Sequence, residues 1–193
     1  MSQKGSAQSC NQLSCSHFME LMALFTDSSL NLDNKAGVGA CFIVSAFFLD
    51  TPPSEIKFSE LSGLLKVRRF EETSSAALEL RTVLWAVEEY KKSFSGWGNL
   101  RLYSDSKCVA DLLKRRPGLE DKYFLSGTTN RLLKNALLYR KFYEFHDELA
   151  FEAIKVKGHG PSSSRDPAER IFSFVDRETR KELRLWMEEL KKQ

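Results

Sequence analysis

Three strand-like segments occupy the first 70 residues, and from there helical and strand-like patterns alternate to the end of the chain. "FMELMALF" (18–25) is a near-continuous apolar run, the pattern of a buried strand. "VGACFIVSAFFL" (38–49) is a second, closed by Pro52-Pro53. "EIKFSELSGLLKVRRF" (55–70) alternates well enough for a third, with a kink at Gly63. "SSAALELRTVLWAVEEYKK" (74–92) repeats Leu80, Val83, Leu84 and Val87 at helical spacing, with Ser74 or Ser75 as N-cap. "NLRLYSD" (99–105) reads as a strand, "SKCVADLLKRR" (106–116) as a helix stopped by Pro117-Gly118, and "TTNRLLKNALLYRKFYEFHDEL" (128–149) as a longer helix. "AFEAIKVKG" (150–158) is a last strand. The final helix starts at "DPAER", where Asp166 is the N-cap, Pro167 takes the first helical position and Glu169 completes a capping box. Consecutive strands pair antiparallel, whereas strands separated by helices run parallel. The order therefore predicts an α/β fold: a five-stranded mixed sheet, three antiparallel strands and then parallel ones, flanked by helices.

The chain has 193 residues, enough for one domain with a sizeable core. Residues 1–17, rich in Ser, Gln and small side chains, are expected to be a disordered extension, and 18–193 the folded domain. No apolar run reaches the ~18 residues of a membrane helix, and no basic patch with an apolar block marks a secretion signal. Cys10, Cys15, Cys41 and Cys108 lack metal-site spacing, which fits a reducing intracellular compartment and a protein that is not secreted. The net charge of +3 says little by itself. Its distribution says more: residues 101–141 hold ten lysines and arginines against four acids, either a solvated helical face or a surface that tracks phosphate.

Three carboxylates stand at the ends of predicted elements. Asp27 follows the first strand, Glu79 lies near the start of the first helix, and Asp105 closes the fourth strand. Each has an ordinary reading, as a turn former, a helix-dipole partner or an N-cap. In an α/β sheet, however, strand carboxyl ends and helix starts gather along one edge, where ligands bind. Carboxylates gathered there stay ionised together only beside cations, and hard oxygen ligands suit Mg²⁺ or Mn²⁺. His159 opens the loop "HGPSSSR" after the last strand, and beside such a site it would be a proton carrier.

"FTDSS", "AALEL" opening a helix, "LYSDS" closing a strand and "VKGH" ahead of a final helix together resemble the type I ribonuclease H family, over roughly residues 18–190. The resemblance implies a ribonuclease H-like fold and an endonuclease that hydrolyses the RNA strand of RNA–DNA hybrids, leaving 5′-phosphate and 3′-hydroxyl ends. It implies two Mg²⁺ ions, with Mn²⁺ as a substitute, held by four acids. Asp27, Glu79 and Asp105 match the first three. The fourth lies on the final helix in the family, which favours Asp176, inside that helix, over Asp166, whose oxygen serves the cap. By resemblance Asp27 bridges both ions, Asp176 helps hold the ion that activates water, and Glu79 and Asp105 hold the ion near the leaving 3′-oxygen. His159 would shuttle a proton or ease product exit.

The sequence also departs from the family. Ser28, ahead of Ser29, replaces the glycine of the usual Asp-Gly-Ser, where the backbone approaches RNA. The usual Thr-Asn-Asn before the glutamate reads Ser74-Ser75-Ala76, which leaves Ser74 a phosphate contact and Ser75 one hydrogen bond where an amide makes two. Lys107 stands where a polar residue faces the minor groove and could touch phosphate instead. The partners so implied are an RNA–DNA hybrid and no membrane, with the chain a monomer. A second reading, a catalytically weak or inactive nucleic-acid-binding module of retroelement origin, stays open, as does, more remotely, another nuclease of the wider superfamily.

Overall fold

The computed structural model describes residues 20–52, 54–94, 99–157 and 165–192. The predicted extension 1–17 and the loop containing His159 lie outside the described residues. Five strands form one sheet: β1 (Met22–Asn31), β2 (Ala36–Ser45), β3 (Leu65–Phe70), β4 (Leu100–Ser104) and β5 (Glu152–Lys155). Their order is β3-β2-β1-β4-β5. β2 runs antiparallel to both β1 and β3, while β1–β4 and β4–β5 are parallel. Three antiparallel strands followed by parallel ones is the predicted arrangement.

The helices are α1 (Phe58–Leu61), α2 (Ser75–Ser93), α3 (Lys107–Ala110), α4 (Leu112–Asp121), α5 (Ala136–Leu149) and α6 (Pro167–Leu190). They cover both faces of the sheet. Leu24 and Cys41 on one sheet face pack with Leu78, Leu80 and Val83 of α2 and with Phe142 of α5. Ala23, Phe25, Ala40 and Phe42 on the other face pack with Ile171, Phe172 and Val175 of α6. The period-2 alternation of side chains along β1 thus feeds two cores.

Several boundaries differ from the sequence reading. β1 does not end before Asp27; it runs on to Asn31, because β2 pairs with it through Asn31↔Ala36. β2 starts two residues earlier than predicted and stops at Ser45, whose hydroxyl accepts from the Phe47 amide and turns Ala46–Leu49 into a 3₁₀ segment. The predicted third strand is strand only over Leu65–Phe70; its front half forms α1 and a 3₁₀ turn that includes Gly63. Pro117 does not stop a helix but sits inside α4, on its exposed side, where water can satisfy the carbonyl that loses its donor. The helix predicted from 128 begins at Ala136, since Ser126 bonds the amides of Thr128 and Thr129 and holds a turn there. β5 is confined to Glu152–Lys155 after the left-handed Ala150.

α6 is the best-fixed helix. The capping box forms as predicted: the Glu169 amide donates to Asp166 Oδ1 (2.7 Å) and the Asp166 amide to Glu169 Oε2 (3.2 Å). Near the other end Trp186 is buried against Ala36 and Val38, under the Arg69 guanidinium. Arg69 of β3 also bonds Glu182 (2.8 Å) and Glu189 (2.6 Å), clamping the edge strand to the helix.

Candidate active site

The pairing of β1 with β4 ends at Phe25↔Tyr103, although β1 itself continues along β2. Past that point the two parallel strands part, and the notch between them is a switch point of the sheet. Asp27 lies in the notch from the β1 side. Asp105 lies just past the end of β4, and Glu79 reaches it from the second turn of α2. A small pocket there is lined by Thr26, Asp27, Ser28, Glu79, Thr82, Ser104 and Asp105. Three acids separated by up to 78 residues thus share one pocket.

Two glycines let Glu79 come close. Gly37 and Gly39 of β2 face α2. A Cβ on Gly37 would lie 2.4 Å from Leu78 Cδ2, and one on Gly39 would lie 2.2 Å from Thr82 Oγ1. Both are far inside van der Waals contact, so a larger residue at either position would force the Leu78 or Thr82 side chain of α2 to move.

Asp27 is 8% exposed. Burial pushes its pKa from the ordinary 3.8 to about 7, helped by the charges of Asp105 and then Asp176; the Ser28 amide pulls the other way, while the Thr179 hydroxyl beside it gives its proton to the Val175 carbonyl (2.7 Å). Its Oδ2 has no hydrogen-bond partner among the described residues. Asp176, inside α6, is therefore close enough to act on Asp27, although the two come from opposite ends of the chain. Asp166 is exposed and committed to the cap.

The other acids are held by neighbours. The Ser106 hydroxyl donates to Glu79 Oε2 (2.5 Å) and accepts from the Val109 amide (3.2 Å), so it caps α3 and orients Glu79 at once. Ser75 donates to Glu79 Oε1 (3.3 Å). Asp176 pairs with Arg180 at 2.8 Å. With these side-chain positions, no three His, Cys, Asp or Glu groups among the described residues converge as a ready-made metal cage.

The remaining predicted positions are distributed around the notch. Ser28 and Ser29 continue β1 opposite Gly39 and Val38. Ser74 takes the N-cap position of α2 without a side-chain cap bond, and Lys107 is the exposed first residue of α3. Sequence reasoning missed Ser106, Thr82 and Thr179. Thr179 stands three residues after Asp176, on the same helix face, and Ser106 directly follows Asp105; those offsets were the available signals.

The donor set suits a hard divalent cation. It consists of carboxylate oxygens, one of them buried, unpartnered and facing only like charges. Such an oxygen must take up a proton or a cation.

The sequence matches no protein-family model and no curated protein. Solved structures do match. Native Prototype Foamy Virus protease-reverse transcriptase superposes with a TM-score of 0.58 at 14% identity, over 86% of this chain and 21% of that one. The foamy viral protease-reverse transcriptase in complex with RNA/DNA hybrid gives 0.55 at 10% identity, over 92% and 21%. A chain from its complex with dsDNA gives 0.52 at 10% identity, over 80% and 92%. The fold is ribonuclease H-like. This chain spans about a fifth of the first two of those proteins. Within the ribonuclease H-like sheet, the notch beside β1 is where the acids meet.

Proposed function

We propose that this chain is a metal-dependent endonuclease that hydrolyses the RNA strand of RNA–DNA hybrids. The observation that carries the reading is the buried Asp27 carboxylate, whose Oδ2 has no hydrogen-bond partner among the described residues, sharing a pocket with Glu79 and Asp105 and lying in the field of Asp176. The likeness to protease-reverse transcriptases, solved with RNA/DNA hybrid and with dsDNA, supports a nucleic-acid substrate.

Asp27, Glu79, Asp105 and Asp176 would hold Mg²⁺, or Mn²⁺ in its place. Bound there, such ions supply charge neutralisation at the phosphate and a more acidic water. The chain's own part is orientation. Ser106 and Ser75 hold the two oxygens of Glu79. The Ser28 amide steadies Asp27. Burial keeps bulk water from Asp27, which strengthens its attraction for a cation. Ser28, Ser29, Ser74, Ser75 and Lys107, ranged round the notch, would meet the sugar–phosphate backbone, so sequence preference should be slight.

The test is cleavage of an end-labelled hybrid with Mg²⁺ and with EDTA, set beside double-stranded RNA and DNA. Hybrid-selective, EDTA-sensitive cleavage that disappears in Asp27→Asn is expected; full cleavage by Asp27→Asn overturns the site. A second reading, a nucleic-acid-binding module with little or no activity, is favoured by the Asp176–Arg180 pair and the absence of a preformed three-ligand cage among the described residues. Hybrid binding without cleavage at any Mg²⁺ or Mn²⁺ concentration would establish it.

A further inference from the structure

Asp176 comes to the notch already holding a cation of its own. Its Oδ1 pairs with Arg180 Nε at 2.8 Å, one helical turn further along α6, and its side chain is only 23% exposed. The neighbouring cation on α6 is engaged elsewhere: Arg177 pairs with Glu178 (3.3 Å) and lies over the Phe174 ring. The Thr179 hydroxyl, between them in sequence, gives its proton to the Val175 carbonyl (2.7 Å). Of these three side chains, Arg180 is the one that pairs with a candidate ligand. Glu79, by contrast, is held by the neutral hydroxyls of Ser106 and Ser75. With Asp176 so paired, no three acids converge as a metal cage among the described residues.

Resting on the metal-dependent reading of that notch, we infer that Arg180 is a resident counter-ion which a divalent cation must displace from Asp176, and so a positioning residue that sets how much metal the site needs. One carboxylate oxygen does not serve a guanidinium and a hard cation at ~2.1 Å together without crowding two positive charges. The guanidinium stays charged at every working pH, so losing a proton does not relieve the competition. Movement of the side chain does. Arg180 is 51% exposed, and an exposed pair of this kind is weak, so the guanidinium can swing into water at small cost. In the metal-free chain the same pair offsets the repulsion between Asp176 and Asp27. The device thus raises the metal concentration at which Asp176 joins the other acids, without closing the notch.

The experiment titrates the metal-free full chain with Mn²⁺ and follows loss of the free-ion electron paramagnetic resonance signal, so neither substrate nor turnover enters. Arg180→Gln should tighten Mn²⁺ binding by about threefold or more. Arg180→Lys, which keeps the pair, should stay near wild type. Arg177→Gln removes the same charge but leaves the Asp176 pair intact, and should change binding little. In the Asp176→Asn background Arg180→Gln should have no effect, because the contested carboxylate is gone. Thermal melts in EDTA show that each variant is folded. Unchanged or weaker binding in folded Arg180→Gln overturns the inference. So does an equal tightening in Arg177→Gln or in the Asp176→Asn background, which would mean a general effect of net charge. A wild-type chain that takes up no Mn²⁺ removes the metal reading and this inference together. Uptake that Asp27→Asn abolishes but Arg180→Gln leaves alone removes the inference only.

Discussion

At the scale of residues, Asp27 couples function to stability. Its folded-state pKa of about 7 stands above the ordinary 3.8, so the folded chain holds the proton more tightly than the unfolded one. The stabilisation linked to that proton is complete below about pH 4. It is lost as pH rises through about 7, a difference of at most ~4 kcal/mol. Asp27→Asn should therefore raise stability in EDTA at pH 8 and change it little at pH 4, while removing cleavage. Urea titrations at the two pH values check this; equal effects at both would mean the carboxylate is not desolvated. The two candidate fourth acids separate in the same way. Asp176→Asn should abolish most cleavage with little loss of stability. Asp166→Ala should cost roughly 1 kcal/mol of stability through the lost cap and leave cleavage largely intact. A dead Asp166→Ala enzyme would reverse the assignment.

At the scale of elements, the glycines of β2 act on the site from a distance. Gly39→Ala puts a methyl 2.2 Å from Thr82 Oγ1, which should destabilise by about 1–3 kcal/mol. It should also lower cleavage beyond what the unfolded fraction explains, since α2 carries Glu79. Denaturation and specific activity measured on the same sample decide this. Element identities were largely legible in the sequence, because apolar periodicity and the Asp166-Pro167-Glu169 signal are local. Their limits were not. The end of β1 depends on where β2 stops pairing, and α1 formed within an apparent strand because its apolar residues Phe58 and Leu61 pack beside α6. Pro117 was misread because its position on an exposed side is a tertiary fact.

At the scale of the whole molecule, the topology predicted from element order is the one found, and it is why distant acids could be placed on one edge before any coordinates. What the sequence left dark was the supporting shell. Ser106 acts through a contact across the fold and Thr179 through its place on α6, and only their offsets from Asp105 and Asp176 point to them. Metal should report on the assembled site directly. Mg²⁺ at 100 times its dissociation constant should add about 2.7 kcal/mol to unfolding free energy. Asp27→Asn should abolish the gain, and an equal gain in that variant, followed by thermal melts, would place the ion elsewhere. No helix among the described residues is long and apolar enough to cross a membrane.

β1 is flanked by strands on both sides from Met22 to Phe25, and Asp27 follows two residues later on the same rail. Amide protons of Leu24 and Phe25 should accordingly be among the slowest in the chain to exchange with deuterium, released only when the entire domain opens. Those around Asp105, beyond the end of β4, should exchange through smaller local openings. The pocket is thus one stationary jaw facing one that can yield, which gives an incoming strand something to close upon.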